Sequence, residues 1–169
     1  FLAQQQRVDG SWVPLWFGNQ HHPAEENPIY GTARVLLAYR DLDLMGSESA
    51  RRGLAWLLES QGPDGGWGGA ARPAGAGVGQ VSSVEETAVA LEALLSADSG
   101  PSWEAAVERG LSWLLAAIEA GRHREATPIG FYFAKLWYYE ELYPLIFTVA
   151  ALGHAVRRLA PGQENSRPA

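Results

Sequence analysis

The chain has no cysteine and a single methionine. Without thiols there is no disulfide framework, no thiolate nucleophile and no cysteine-held zinc, a composition in keeping with a reducing compartment. Cations are scarce: 13 Lys and Arg face 19 Asp and Glu, for a net charge of −6. Nucleic-acid binding needs clustered positive charge. The Arg51-Arg52 and Arg157-Arg158 pairs are too small for a basic patch and read as solvated helix ends. No apolar run reaches the ~20 residues of a spanning helix; the longest, Leu145 to Gly153, has the length of a core helix. No signal peptide is visible, and no G-x-S-x-G, P-loop or G-x-G-x-x-G unit occurs. Gly75-Ala-Gly-Val-Gly precedes no strand–helix pair and reads as loop.

What is present is periodic. Arg52 to Ser60 carries Leu54, Leu57 and Leu58 at helical spacing, flanked by Trp56. Gln61 to Trp67 then reads Q-G-P-D-G-G-W, a turn in which glycines supply the left-handed backbone of a tight reversal. The Gln61 amide is expected to bond free carbonyls at the helix end, and Trp67 to fold back over the turn. Gln6-Arg-Val-Asp-Gly-Ser-Trp12 repeats the turn 55 positions earlier. A third helical half begins at Arg109-Gly-Leu-Ser-Trp113, but its turn half is missing between Ala117 and Thr127. Thr32, Thr87 and Thr148 recur in the helices between these units. The period predicts about three two-helix repeats, an all-α chain without strands. Repeats bury their faces only against neighbours. With Phe1 already inside a repeat and no initiator Met, the chain reads as a fragment: residues 1–160 an open arc and 161–169 a frayed tail.

The sequence R-G-x(2)-aromatic-L-x(3)-Q-x(3)-G-x-W resembles the Gln-Trp repeat signature of the squalene–hopene and oxidosqualene cyclase family. The resemblance extends over nearly the whole chain, through Q-R-V-D-G-S-W, Y-G-T-A-R-V-L, P-I-G-F-Y-F and the closing Y-P-L-I-F-T-V-A-A-L-G. It implies an α/α toroid, this chain supplying half of an α6/α6 barrel, with Gln6, Trp12, Gln61 and Trp67 as structural clamps. The implied chemistry is protonation of an alkene, polycyclisation through carbocations, then proton loss or water capture, with no metal or organic cofactor. Aromatic faces suit such cations because they stabilise charge without trapping it.

The same resemblance places Phe131, Tyr132, Trp137, Tyr138 and Tyr139 at the substrate, only one of the two adjacent tyrosines facing the cavity. It places Trp16 beside the substrate and Tyr30 near the catalytic acid. The family's D-x-D-D acid is absent; Asp41-Leu-Asp43 reads as a solvated helix end. The implied partners are squalene or another linear polyprene and the remainder of a parent chain, peripheral to the cytoplasmic side of a membrane. The fragment itself is expected to be soluble, inactive alone and self-associating through uncovered apolar faces. Two other classes fit helical hairpins: a non-catalytic repeat module, and a protein prenyltransferase-like subunit, which needs a zinc ligand set that is missing here.

Along the chain, helices are expected from Tyr30 to Asp43, from Arg51 after a Ser47 or Ser49 cap, from the Ser83-Val-Glu-Glu capping box to Leu95, from Trp103 to Ala120, and from Pro144 to Leu159. Residues 12–27 read as irregular, residues 17–27 as an insertion relative to the shorter connection of the cyclases it resembles, and 68–80 as a surface loop. His21, His22, Glu25 and Glu26 resemble metal ligands in type, but adjacent loop histidines point apart, so no metal is expected. Glu85-Glu86 and Glu140-Glu141 read as helix N-terminal or exposed charges.

Overall fold

Each turn that closes one helix reaches forward and fastens the next. The computed structural model describes residues 1–71, 80–97, 100–126, 128–131 and 136–159. Among them are helices α1 (Leu2–Gln5), α2 (Pro28–Asp41), α3 (Glu48–Glu59), α4 (Val84–Leu94), α5 (Pro101–Glu119) and α6 (Tyr143–Leu159). The segment 161–169, expected to be a tail, lies outside the described residues.

Helix starts follow local chemistry. Asn27 caps α2 by accepting from the Tyr30 amide, with Pro28 in the first turn, where its missing N–H costs nothing. Ser47 caps α3 and Ser83 caps α4, each hydroxyl accepting a first-turn amide. The helices alternate between two layers. α2, α4 and α6 pack side by side within, and α3 and α5 lie outside them. Every residue of α4 except Glu92 is buried, which accounts for its nearly unbroken apolar sequence. Glu92 ties the far ends of the inner layer together, lying 3.6 Å from Arg40 on α2 and 3.8 Å from His154 on α6.

The turns are built alike. Gln6 Nε2 donates to the Gly10 carbonyl of its own turn and to Ser49 of α3; Gln61 Nε2 donates to Gly65 and to Ala106 of α5, all at 2.8–2.9 Å. The Trp12 amide donates to Thr32 Oγ1 and the Trp67 amide to Thr87 Oγ1, both at 2.9 Å. Their indole N–H groups donate to the Leu2 and Leu57 carbonyls. Gly10 and Gly65 hold φ of +98° and +93°, and a side chain at either would strike the carbonyl of Arg52 or Arg109. The cations read as solvated ends take part instead. Arg52 donates to the Arg7 and Val8 carbonyls and Arg158 to the Ala97 carbonyl; in the repeat motif, Arg109 likewise donates to Gln61 Oε1.

Strands are present, against expectation. Phe17–Gly18 (β1), Pro128–Phe131 (β4) and Leu136–Tyr139 (β5) form an antiparallel sheet in the order β1-β4-β5, and Ala70–Ala71 (β2) pairs with Gln80–Val81 (β3). Aromatic residues favour a pleated, half-buried surface, and Gly18 and Gly130 face one another where β1 meets β4.

The indoles fix the shape of the outer helices. A Cβ on Gly53 would lie 2.6 Å from Trp12 Cζ3, and one on Gly110 2.6 Å from Trp67 Cζ3 and 2.8 Å from Leu91 Cδ2. Gly53→Ala and Gly110→Ala should each cost about 1–3 kcal/mol by overpacking. Gly46→Ala, where nothing lies within 4 Å, should be near neutral. Denaturant midpoints of the three variants check this.

Candidate functional site

The aromatic residues converge at the N-terminal ends of α2 and α6. Tyr30 in the first turn of α2 meets Phe17 of β1 edge-on, with centroids 6.1 Å apart, and Phe147 of α6 at 6.2 Å. Tyr143 continues the cluster, 5.2 Å from Phe147. The Arg34 guanidinium, one turn along α2, sits 6.0 Å from the Tyr30 ring. Tyr30 also lines an apolar cavity of about 290 Å³ with Trp12, Val13, Pro14, Leu15 and Val35.

The sheet brings the insertion to this place. Phe17 pairs with Phe131 across β1 and β4, and Phe131 with Leu136 across β4 and β5. Tyr132 lies outside the described residues, as do the side chains of Phe131 and Tyr138. Trp137 is half-buried. Trp16 is 54% exposed and Tyr139 58%. Tyr30 and Tyr139 line different cavities. Phe17, Tyr143 and Phe147 were not anticipated. Phe147 follows Tyr143 by one helical turn, a spacing that could have shown the pair.

A second cluster surrounds α4's first turn, where Glu85 and Glu86 are 2% and 3% exposed rather than solvated. Glu86 Oε1 accepts from the Gly69 amide at 2.9 Å and Oε2 from the Ser83 hydroxyl at 2.7 Å. Its side chain therefore turns to the Ser83 hydroxyl, while the Ser83 amide donates to the Trp67 carbonyl. The fully buried Asn19 amide faces the same carboxyl, although Nδ2 makes no hydrogen bond of normal geometry. Burial pushes Glu86 up to about 7, against the pull of its Ser83, Gly69 and Asn19 contacts. Glu86 lines a cavity of about 250 Å³ with His21, Ser83, Arg122, Glu125 and Tyr139. Of the residues resembling metal ligands, Glu26 forms a two-pronged pair with Arg7, and His22 Nδ1 accepts from the Ala24 amide.

Helix hairpins, forward-reaching clamps and converging aromatic rings together describe a recognisable domain. The profile of the squalene-hopene cyclase C-terminal domain matches residues 1–157. The chain belongs to that family. It is 34% identical to the enfumafungin synthase of Hormonema carpetanum, over 81% of this chain and 10% of that protein. It is 30% identical to the ent-copalyl diphosphate synthase of Streptomyces sp. (strain KO-3988), over 99% and 29%. The dammaradiene synthase of Dryopteris crassirhizoma is 31% identical, over 94% and 25%. The solved ent-copalyl diphosphate synthase from Streptomyces platensis superimposes with a TM-score of 0.59 at 26% identity, over 92% of this chain and 26% of that one. The chain thus spans between a tenth and under a third of these relatives. Its fold is mostly helical, a part of the cyclase α/α toroid, and its family is that of terpene cyclases. Among the described residues no helix is long and apolar enough to cross a membrane.

The titration of Glu86 has a direct consequence. Its unfolded carboxyl ionises near 4.5 and the folded one near 7, so the folded state binds the proton more tightly. The stabilisation is fully present below about pH 4.5 and is lost as pH rises through 7. Glu86→Gln should remove this slope, narrowing its stability deficit or overtaking the wild type as pH rises. Urea midpoints of both proteins across that range measure it.

Proposed function

We propose that this chain is part of the wall of a class II terpene cyclase cavity, its aromatic end turned to a linear polyprene. The observation that carries the reading is the meeting of Tyr30, Phe17 and Phe147 beside the β4–β5 ribbon that holds Phe131. Such rings stabilise a migrating positive charge through their quadrupoles and offer no nucleophile to trap it. Phe131, Tyr132, Trp137, Tyr138, Tyr139 and Trp16 are the proposed substrate contacts, and Tyr30 the residue that orients the acid. The alkene-protonating D-x-D-D motif belongs to the remainder of the parent, so this chain alone is inactive. Squalene or another linear polyprene is the proposed substrate, without metal or organic cofactor, and the parent sits on one membrane leaflet.

The test is incubation of the complete parent protein with squalene in detergent, with geranylgeranyl diphosphate in parallel, followed by mass spectrometry. A cyclic isomer of unchanged mass, or its hydrate, is expected. Tyr30→Phe should slow turnover on the order of tenfold, the share of one hydrogen bond to a charged group. Phe131→Ala should redistribute products, because a desolvated cation–π contact of about 2 kcal/mol is lost at one stage of the cascade. Folded protein that turns over neither substrate favours a repeat module that binds without catalysis.

The remainder of the parent is also the proposed partner of α6. Leu145, Ile146, Val149, Val156 and Leu159 are exposed on that helix, Val149 to 72%. The isolated chain should self-associate through them, giving a light-scattering mass above the 18.3 kDa monomer. Val149→Glu with Val156→Glu should restore the monomer. A monodisperse wild-type monomer would sink the idea.

A further inference from the structure

The cyclisation reading leaves the last step without a base, because a cascade that ends in an alkene must hand a proton to some acceptor. We propose that Glu86 is that acceptor, the carboxylate that removes a C–H proton from the final carbocation. The assignment rests on the terpene-cyclase reading and on the position of this one side chain.

Glu86 is buried and lines the same cavity as Tyr139, which stands at the end of the aromatic β5 strand. Its two oxygens are fixed separately, one by the Gly69 amide and one by the Ser83 hydroxyl. Each keeps a lone pair beyond its single bond.

Asn19 supplies an independent sign that the site is built for more than packing. Its amide is wholly buried and faces the carboxyl, yet Nδ2 makes no hydrogen bond of normal geometry among the described residues. Such a donor can follow the carboxyl as it alternates between charged and neutral forms.

The step balances without a co-reactant. The C–H bond beside the cationic carbon breaks, and its electron pair becomes the C=C bond. The proton lands on a Glu86 oxygen, converting carboxylate to carboxylic acid. Exposed His21 and Glu125 line the same cavity and give that proton a way to water.

The charged and titratable groups facing the site come from four elements. Glu85 lies beside Glu86 on α4, His21 and His22 on the insertion, Arg122 and Glu125 at the 3₁₀ turn, and Tyr139 on β5. Burial lifts Glu86 to about 7, which matches a base that must reload near neutral pH.

The test uses the complete parent with squalene and geranylgeranyl diphosphate, reading the ratio of alkene to hydrated product. Wild-type protein without cyclic product overturns the cyclase reading, and this assignment with it. With an active wild type, Glu86→Gln should lower the alkene share by about a hundredfold or more. The cation should then be captured by water, so that hydrated product takes the place of the alkene. A purely structural role would scale all products together, so an unchanged product mixture in Glu86→Gln overturns the proposal. If that variant does not fold, the wild-type ratio decides. The alkene share should fall as pH drops below 7, and a flat ratio overturns the proposal.

Discussion

Two tryptophan amides, each bonded to a threonine one inner helix away, hold the chain together. The Trp67 amide meets Thr87, its indole N–H meets the end of α3, and its ring leaves room only for hydrogen at Gly110 of α5. One residue thereby joins an outer helix, the inner helix that follows it and the next outer helix. Trp67 is wholly buried, so its N–H groups cannot revert to water when a partner is lost. Each orphaned group would cost about 1–3 kcal/mol, more than the roughly 1 kcal/mol that an average hydrogen bond contributes. The threonine, the glycine and the Gln61 fork are consequences of where that indole sits.

Much of this was legible because it is local or periodic. Gln, Asp-Gly, Trp and Thr recur at one spacing, and that recurrence reports the two-layer hairpin architecture directly. Serine caps and the prolines of α2, α5 and α6 show where helices begin to within a few residues. What escaped was non-local. Arg52 looks like a solvated end until the preceding turn is folded against it, when its guanidinium finds the Arg7 and Val8 carbonyls. Glu85 and Glu86 carry the pattern of an exposed first turn, yet both are buried, Glu86 against the Gly69 amide and Asn19. Strand pairing between residues 17 and 131 crosses most of the chain, and no short window of sequence contains it.

The candidate site divides along the same line. Tyr30 and the aromatic stretch after residue 130 were visible through motif and composition. Phe17 and Phe147 were not, because their role comes from the sheet and from the approach of α2 to α6. The insertion looked like an unstructured addition. In the folded chain it supplies a strand, an aromatic ring beside Tyr30, the Asn19 amide beside Glu86, and Gln20, whose amide lies 3.4 Å from the Tyr139 hydroxyl. Residues 17–20 thus connect both clusters.

Thr148 shows what happens where the pattern stops. Its hydroxyl is buried like those of Thr32 and Thr87, but no tryptophan amide arrives, and Oγ1 has no partner among the described residues. The outer helix α5 ends instead in a left-handed Gly121 and a short 3₁₀ turn over Arg122–Arg124, with Arg122 over Trp113. In a linear array, cooperativity passes only between adjacent units. Among the described residues the joint before α6 has no tryptophan latch, and α6 is held instead by packing on α4, by Arg158 on the Ala97 carbonyl and by His154 beside Glu92. That joint depends on side-chain packing and ion pairs rather than on buried amide bonds, so salt reaches it more readily than it reaches the clamped joints.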